Sequence, residues 1–138
     1  MEKIFNSDGS YYFSTQDDKK IEILTTNTTL TANDSGKTFY IGTDALVITL
    51  PSTVENLEYK FVNIGADGNN IITISPAAAD GIHGTATLAA SVVELSGTDN
   101  KDLINTKSTA TTGNCVKLTG DGIIGWYASD FQGIWASE

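Results

Sequence analysis

The chain has 138 residues, and its 8 basic and 17 acidic side chains give a net charge of −9; this length suits one compact domain that buries about two-thirds of its unfolded surface. All 8 basic residues are lysine, and an acidic chain without arginine is poorly equipped to release phosphate counterions or read base edges, which argues against nucleic acid as a partner. One cysteine, Cys115, and one histidine, His83, leave no intrachain disulfide and no multi-cysteine or paired-histidine zinc site.

The opening stretch "MEKIFNSDGSYYFSTQ" lacks the apolar core of a secretory signal, and no window approaches the roughly 18 apolar residues of a membrane span. The expectation is a soluble chain made in the cytoplasm, with no membrane partner. Ile4, Phe5, Tyr11, Tyr12 and Phe13 lie in this short, turn-broken segment. Residues 1–20 are therefore predicted to contact a neighbouring subunit, by strand addition or aromatic anchoring, ahead of a β-domain over 21–138.

From there the chain reads as short β-rich runs between Gly, Asn, Asp and Ser turns, with threonine at roughly one residue in seven. Predicted strands are "IEILTT" (21–26), "KTFYIG" (37–42), "ALVITLPS" (45–52), "YKFVNIG" (59–65) and "NIITISP" (70–76). Later ones are "SVVELSG" (91–97), "NCVKLTG" (114–120), "IIGWYAS" (123–129) and "GIWA" (133–136). Leu46, Ile48 and Leu50 share one face, as do Val116 and Leu118, while Cys115 falls on the opposite face with Lys117. Only "TVENLEY" (53–59) offers a helical turn. The small-residue stretch "AAADGIHGTATLAA" (77–90) and the polar "TDNKDLINTKSTATTGN" (98–114) read as long loops. No internal repeat stands out. The pattern predicts an all-β fold, an antiparallel β-sandwich or jelly-roll-like barrel with long loops.

Catalytic signatures are missing. Asp8, Asp67, Asp80 and Asp121 each precede a glycine, a turn context rather than the cross-cleft carboxylate pair of a glycosidase. The residues after Asp121 do not continue as a calcium loop, because "GIIGWY" lacks alternating oxygen ligands. Cys115 has no neighbouring base in sequence, and His83 has no partner group. The expectation is a protein that is not an enzyme, with no catalytic residue, metal or cofactor. Among the aromatics of "TGDGIIGWYASDFQGIW" (119–135), alternation points Trp126 into the core and Tyr127 outward. An exposed sugar-stacking surface is the competing arrangement.

The segments "LTANDSGKTFYIGTDALVITLPS", "YKFVNIGADGNNIITISPAAADGIHG" and "VKLTGDGIIGWYASDFQGIW", spanning roughly 30–135, together resemble small virion proteins of tailed bacteriophages. The resemblance takes in both capsid decoration (head auxiliary) proteins and related tail-fibre β-modules. It implies a structural virion protein that decorates or cements a capsid by binding the major capsid protein lattice, commonly as a homotrimer. The implied location is the capsid surface of a virion assembled in the host cytoplasm. The alternative it leaves open is a tail-fibre or receptor-binding domain that recognises bacterial surface carbohydrate.

Overall fold

The computed structural model describes the backbone of residues 2–5, 7–14, 20–88 and 91–138, and the side chains of 7–10, 20–86 and 94–138. Among the described residues there are fourteen strands: β1 (Glu2–Phe5), β2 (Tyr11–Ser14), β3 (Ile21–Leu24), β4 (Thr28–Thr29), β5 (Thr38–Ile41), β6 (Leu46–Thr49) and β7 (Glu58–Asn63). They continue as β8 (Ile72–Ser75), β9 (Gly81–Leu88), β10 (Ser91–Ser96), β11 (Leu103–Asn105), β12 (Cys115–Gly120), β13 (Gly125–Gln132) and β14 (Trp135–Ser137). Helix is confined to 3-10 turns at Ala32–Asp34 and Lys107–Thr109. No helix forms over 53–59, where the chain turns at Glu55–Asn56 and enters β7. The fold is all-β, as the sequence pattern predicts.

Strands β10-β9-β13-β12-β7-β5-β3 form a seven-stranded sheet and β14-β11-β8-β6-β4 a five-stranded one, while β1 and β2 pair separately. Inward residues of both sheets, among them Phe39, Phe61, Val116 and Trp126 from the larger and Ile48, Ile74, Leu103 and Trp135 from the smaller, meet in one core. The result is a sandwich.

Its pairing is mixed, not antiparallel throughout. From β3 to β8 the chain alternates between sheets, so that β3, β5 and β7 run parallel in one and β4, β6 and β8 run parallel in the other. These are successive coils. Their register stacks Phe39 on Phe61, rings 5.6 Å apart, and Ile48 beside Ile74. The coils echo one another as "FYIGTD" (39–44) and "VNIGAD" (62–67), then "ITLP" (48–51) and "ITISP" (72–76). One inserted residue hides the echo: Ile41 pairs with Asn63, not Ile64, which leaves Asn63 buried and Ile64 exposed.

A buried polar residue needs partners, and Asn63 finds them across the sandwich. Its Nδ2 donates to Asn105 Oδ1 at 2.8 Å, and Asn105 Nδ2 donates to Ile134 O at 3.1 Å and to Asn114 Oδ1 at 3.3 Å. This amide network ties β7 to β11. Tyr59, also inside, donates its hydroxyl to Thr31 O at 2.7 Å. Burial first, and then the charge of Asp34, push its pKa from 10.0 up to about 12.

Two segments that read as loops are strands. β9 occupies 81–88 because its small residues let backbones meet: a Cβ on Gly125 of β13 would lie 1.9 Å from Gly81 O, and one on Gly81 1.9 Å from Gly97 O. β11, inside the stretch 98–114, is buried at all three positions. Cys115 lies outside the main core cluster, yet it too is buried, its thiol facing the carbonyl of Asp130.

Candidate binding surface at the turn end of the sandwich

The β6–β7 connection and the β12–β13 turn meet at one end of the sandwich, and Thr53 joins them. Its N–H donates to Asp80 Oδ2 at 2.7 Å, its hydroxyl donates to Gly125 O at 2.6 Å, and its Oγ1 accepts from Gly122 N at 3.1 Å. Asp121 holds the second loop. Its Oδ1 accepts the N–H groups of Ile123, Ile124 and Gly125 at 2.7, 3.0 and 3.0 Å, which is the turn duty its Gly-Asp-Gly context predicts. Burial acts to raise the pKa of Asp121, but the N–H groups of Gly125, Ile123 and Ile124, with His83 nearby, outweigh it and hold the carboxyl below its ordinary value.

Between the loops is an open cleft of about 350 Å³ lined by Thr53, Val54, Glu55, Asp121, Gly122 and Ile123. Two of its lining residues are exposed and apolar, Ile123 at 83 % and Val54 at about half, and Ile124 and Tyr127, next to the turn in the chain, are each about half exposed as well. Strict alternation back from Trp126 would put Ile124 on the same, buried face. In the structure the strand starts only at Gly125, so both isoleucines sit in the turn and face outward. Tyr127 points outward as its alternation requires, stacked on His83 with ring centroids 5.2 Å apart. The His83 ring in turn packs where a side chain on Gly97 would stand.

No group of three His, Cys, Asp or Glu side chains among the described residues is arranged to hold a metal. Three backbone N–H groups of the β12–β13 turn, those of Ile123, Ile124 and Gly125, converge on one oxygen of Asp121, and the thiol of Cys115 is buried. The surface offers shape, apolar contact and the negative charge of Glu55 and Asp121. The tryptophans contribute nothing to it directly. Trp126 is 0 % and Trp135 1 % exposed, so neither forms a sugar-stacking platform, and Phe131 packs partly against Trp135.

Ile4, Phe5, Tyr11, Tyr12 and Phe13 fall far from this cleft in sequence, on the β1–β2 hairpin. Their backbones pair as Ile4 with Tyr12 and Phe5 with Tyr11; their side chains lie outside the described residues. The turn between them is closed by Asp8, whose Oδ1 accepts from Ser10 N at 2.9 Å. Sequence reasoning missed the Thr53 clamp and the Val54 rim, since nothing local marks a threonine whose partners lie 27 to 72 residues away. No protein-family model and no curated protein sequence matches the chain.

Proposed function

We propose that this chain is a structural, non-enzymatic protein of a tailed-bacteriophage particle. It decorates or cements the capsid by binding the lattice of major capsid protein, as a homotrimer and without a cofactor. The observation that carries the reading is the exposed apolar surface of Val54 and Ile123 at the cleft, with Ile124 next in the turn, beside a carboxylate, Asp121, that is bound to its own turn: a surface equipped to dock. The resemblance of the 30–135 segments to small virion proteins supplies the kind of particle. Ile4, Phe5, Tyr11, Tyr12 and Phe13 serve the neighbouring-subunit contact, and association multiplies weak single-site binding on a repeating lattice.

Co-sedimentation of the full chain with shells assembled from the major capsid protein of the same genome tests this. The protein is expected to pellet with the shells, and Ile123→Asp to remain in the supernatant with an unchanged melting temperature. Wild-type protein that stays in the supernatant but binds bacterial polysaccharide on a glycan array overturns the capsid reading in favour of host recognition.

A further inference from the structure

The edge strand β3 has its polarity reversed. In the run Ile21-Glu22-Ile23-Leu24 the two isoleucines face solvent, 53 % and 64 % exposed. Glu22 takes the inward side of the alternation beside Leu24, where Lys37 Nζ holds it at 3.1 Å. Edge strands that face water are ordinarily guarded by outward charge, proline or a bulge; the outer face of β3 has none. Ile23 is also in register with Tyr40 of β5 and Val62 of β7, which carry the apolar row inward across the sheet. Because β3 is the last strand of its sheet, one side of its backbone has no ladder partner among the described residues.

Composition favours a mate within the chain's own repertoire of strands, and among the described residues one pair stands outside both large sheets. The β1–β2 hairpin is hydrogen-bonded to neither large sheet, and a two-stranded hairpin by itself is marginal in water. Its strands, "EKIF" and "YYFS", are rich in large apolar residues. Within one chain it leaves Ile21 and Ile23 uncovered. We propose that the β1–β2 hairpin of one copy docks on β3 of a second copy, adding a strand to the free edge and setting its aromatic residues beside Ile21 and Ile23. This deepens the neighbouring-subunit contact of the proposed function and does not depend on which particle the assembly binds.

Two full-length variants separate the halves of the contact. Ile23→Lys spoils the receiving strand, and Tyr11→Lys combined with Phe13→Lys spoils the hairpin. By sedimentation equilibrium at tens of micromolar, the wild type is expected to be an oligomer and each variant a monomer, with far-ultraviolet circular dichroism and melting temperature retained. Mixed in equal amounts, the variants keep one intact hairpin and one intact β3 between them, so a heterodimer is expected. A monomeric wild type, or either variant associating like wild type, overturns the proposal. A mixture that stays monomeric also overturns it, since the hairpin then does not act between copies. Capsid shells are absent from this assay, so its failure and that of the capsid reading are distinguishable.

Discussion

Trp126 offers the sharpest test of how the sandwich is held together. Its ring is wholly buried, 5.5 Å from that of Tyr59, and its Nε1–H is enclosed without an acceptor among the described residues. Removing a buried aromatic side chain costs about 3 to 5 kcal/mol, a large share of the roughly 5 to 15 kcal/mol that stabilises a domain. Trp126→Ala should therefore lower the melting temperature by about 10 to 20 °C for a chain of this size. The unpaired indole N–H acts in the opposite direction, because a buried donor without an acceptor costs about 1 to 3 kcal/mol. Trp126→Phe deletes that donor and leaves a void of only about 40 Å³, worth roughly 1 kcal/mol at about 24 cal/mol per Å³. The phenylalanine variant is expected within about 1 kcal/mol of wild type for that reason. Urea titrations followed by circular dichroism measure both, as shifts in midpoint at constant slope. An alanine variant as stable as wild type would refute the buried placement. A phenylalanine variant as unstable as alanine would show that the indole N–H makes a bond that matters.

Asn105→Ala takes the partner from Asn63 Nδ2 and from Ile134 O inside the sandwich, and is expected to cost about 2 to 4 kcal/mol in urea titration. Gly125 has φ +150° and its added Cβ would meet Gly81 O at 1.9 Å, so Gly125→Ala should prevent accumulation of folded protein, checked by the soluble fraction and its circular dichroism. Tyr59 has its pKa raised from 10.0 to about 12: its contribution is full below pH 10 and is lost as pH rises towards 12, because the unfolded chain gives up the proton first. Wild type should thus lose more stability between pH 10 and 12 than Tyr59→Phe, by at most about 3 kcal/mol, read from urea midpoints at the two pH values. Asp34 has the opposite sign. Burial opposes its ionisation, but hydrogen bonds from Lys37 and Thr31 hold its pKa below 3.8; the stability it contributes is present above that value and lost as pH falls through the lower folded pKa. Melting curves of Asp34→Asn should therefore vary less with pH in this acid range than those of wild type.

Much of the fold class was legible because side-chain alternation is a local property. Leu46, Ile48 and Leu50 share the buried face that their spacing predicts, Val116 and Leu118 turn inward, and Trp126 and Tyr127 divide between core and surface. The turn role of Asp121 was also readable, since its acceptor duty is met by three of the next four residues. At the cleft, therefore, the sequence marked one loop and one outward tyrosine.

Which strands lie side by side was decided only in three dimensions, because pairing depends on groups far apart in the chain. A run such as "KTFYIG" or "YKFVNIG" is equally suited to a parallel or an antiparallel neighbour. The coiled order arises from how both sheets share one core, and the extra residue at Asn63 masks the repeat. β9 lacks the large alternating side chains of an ordinary strand because two other backbones, at Gly97 and Gly125, close on its Gly81, leaving room for little else. β3 shows the same limit from the other side: its alternation was plain in the sequence, but only its place at a sheet edge reveals that the isoleucines face out. Periodicity separates two faces of a strand; the packing around it decides which of them meets water.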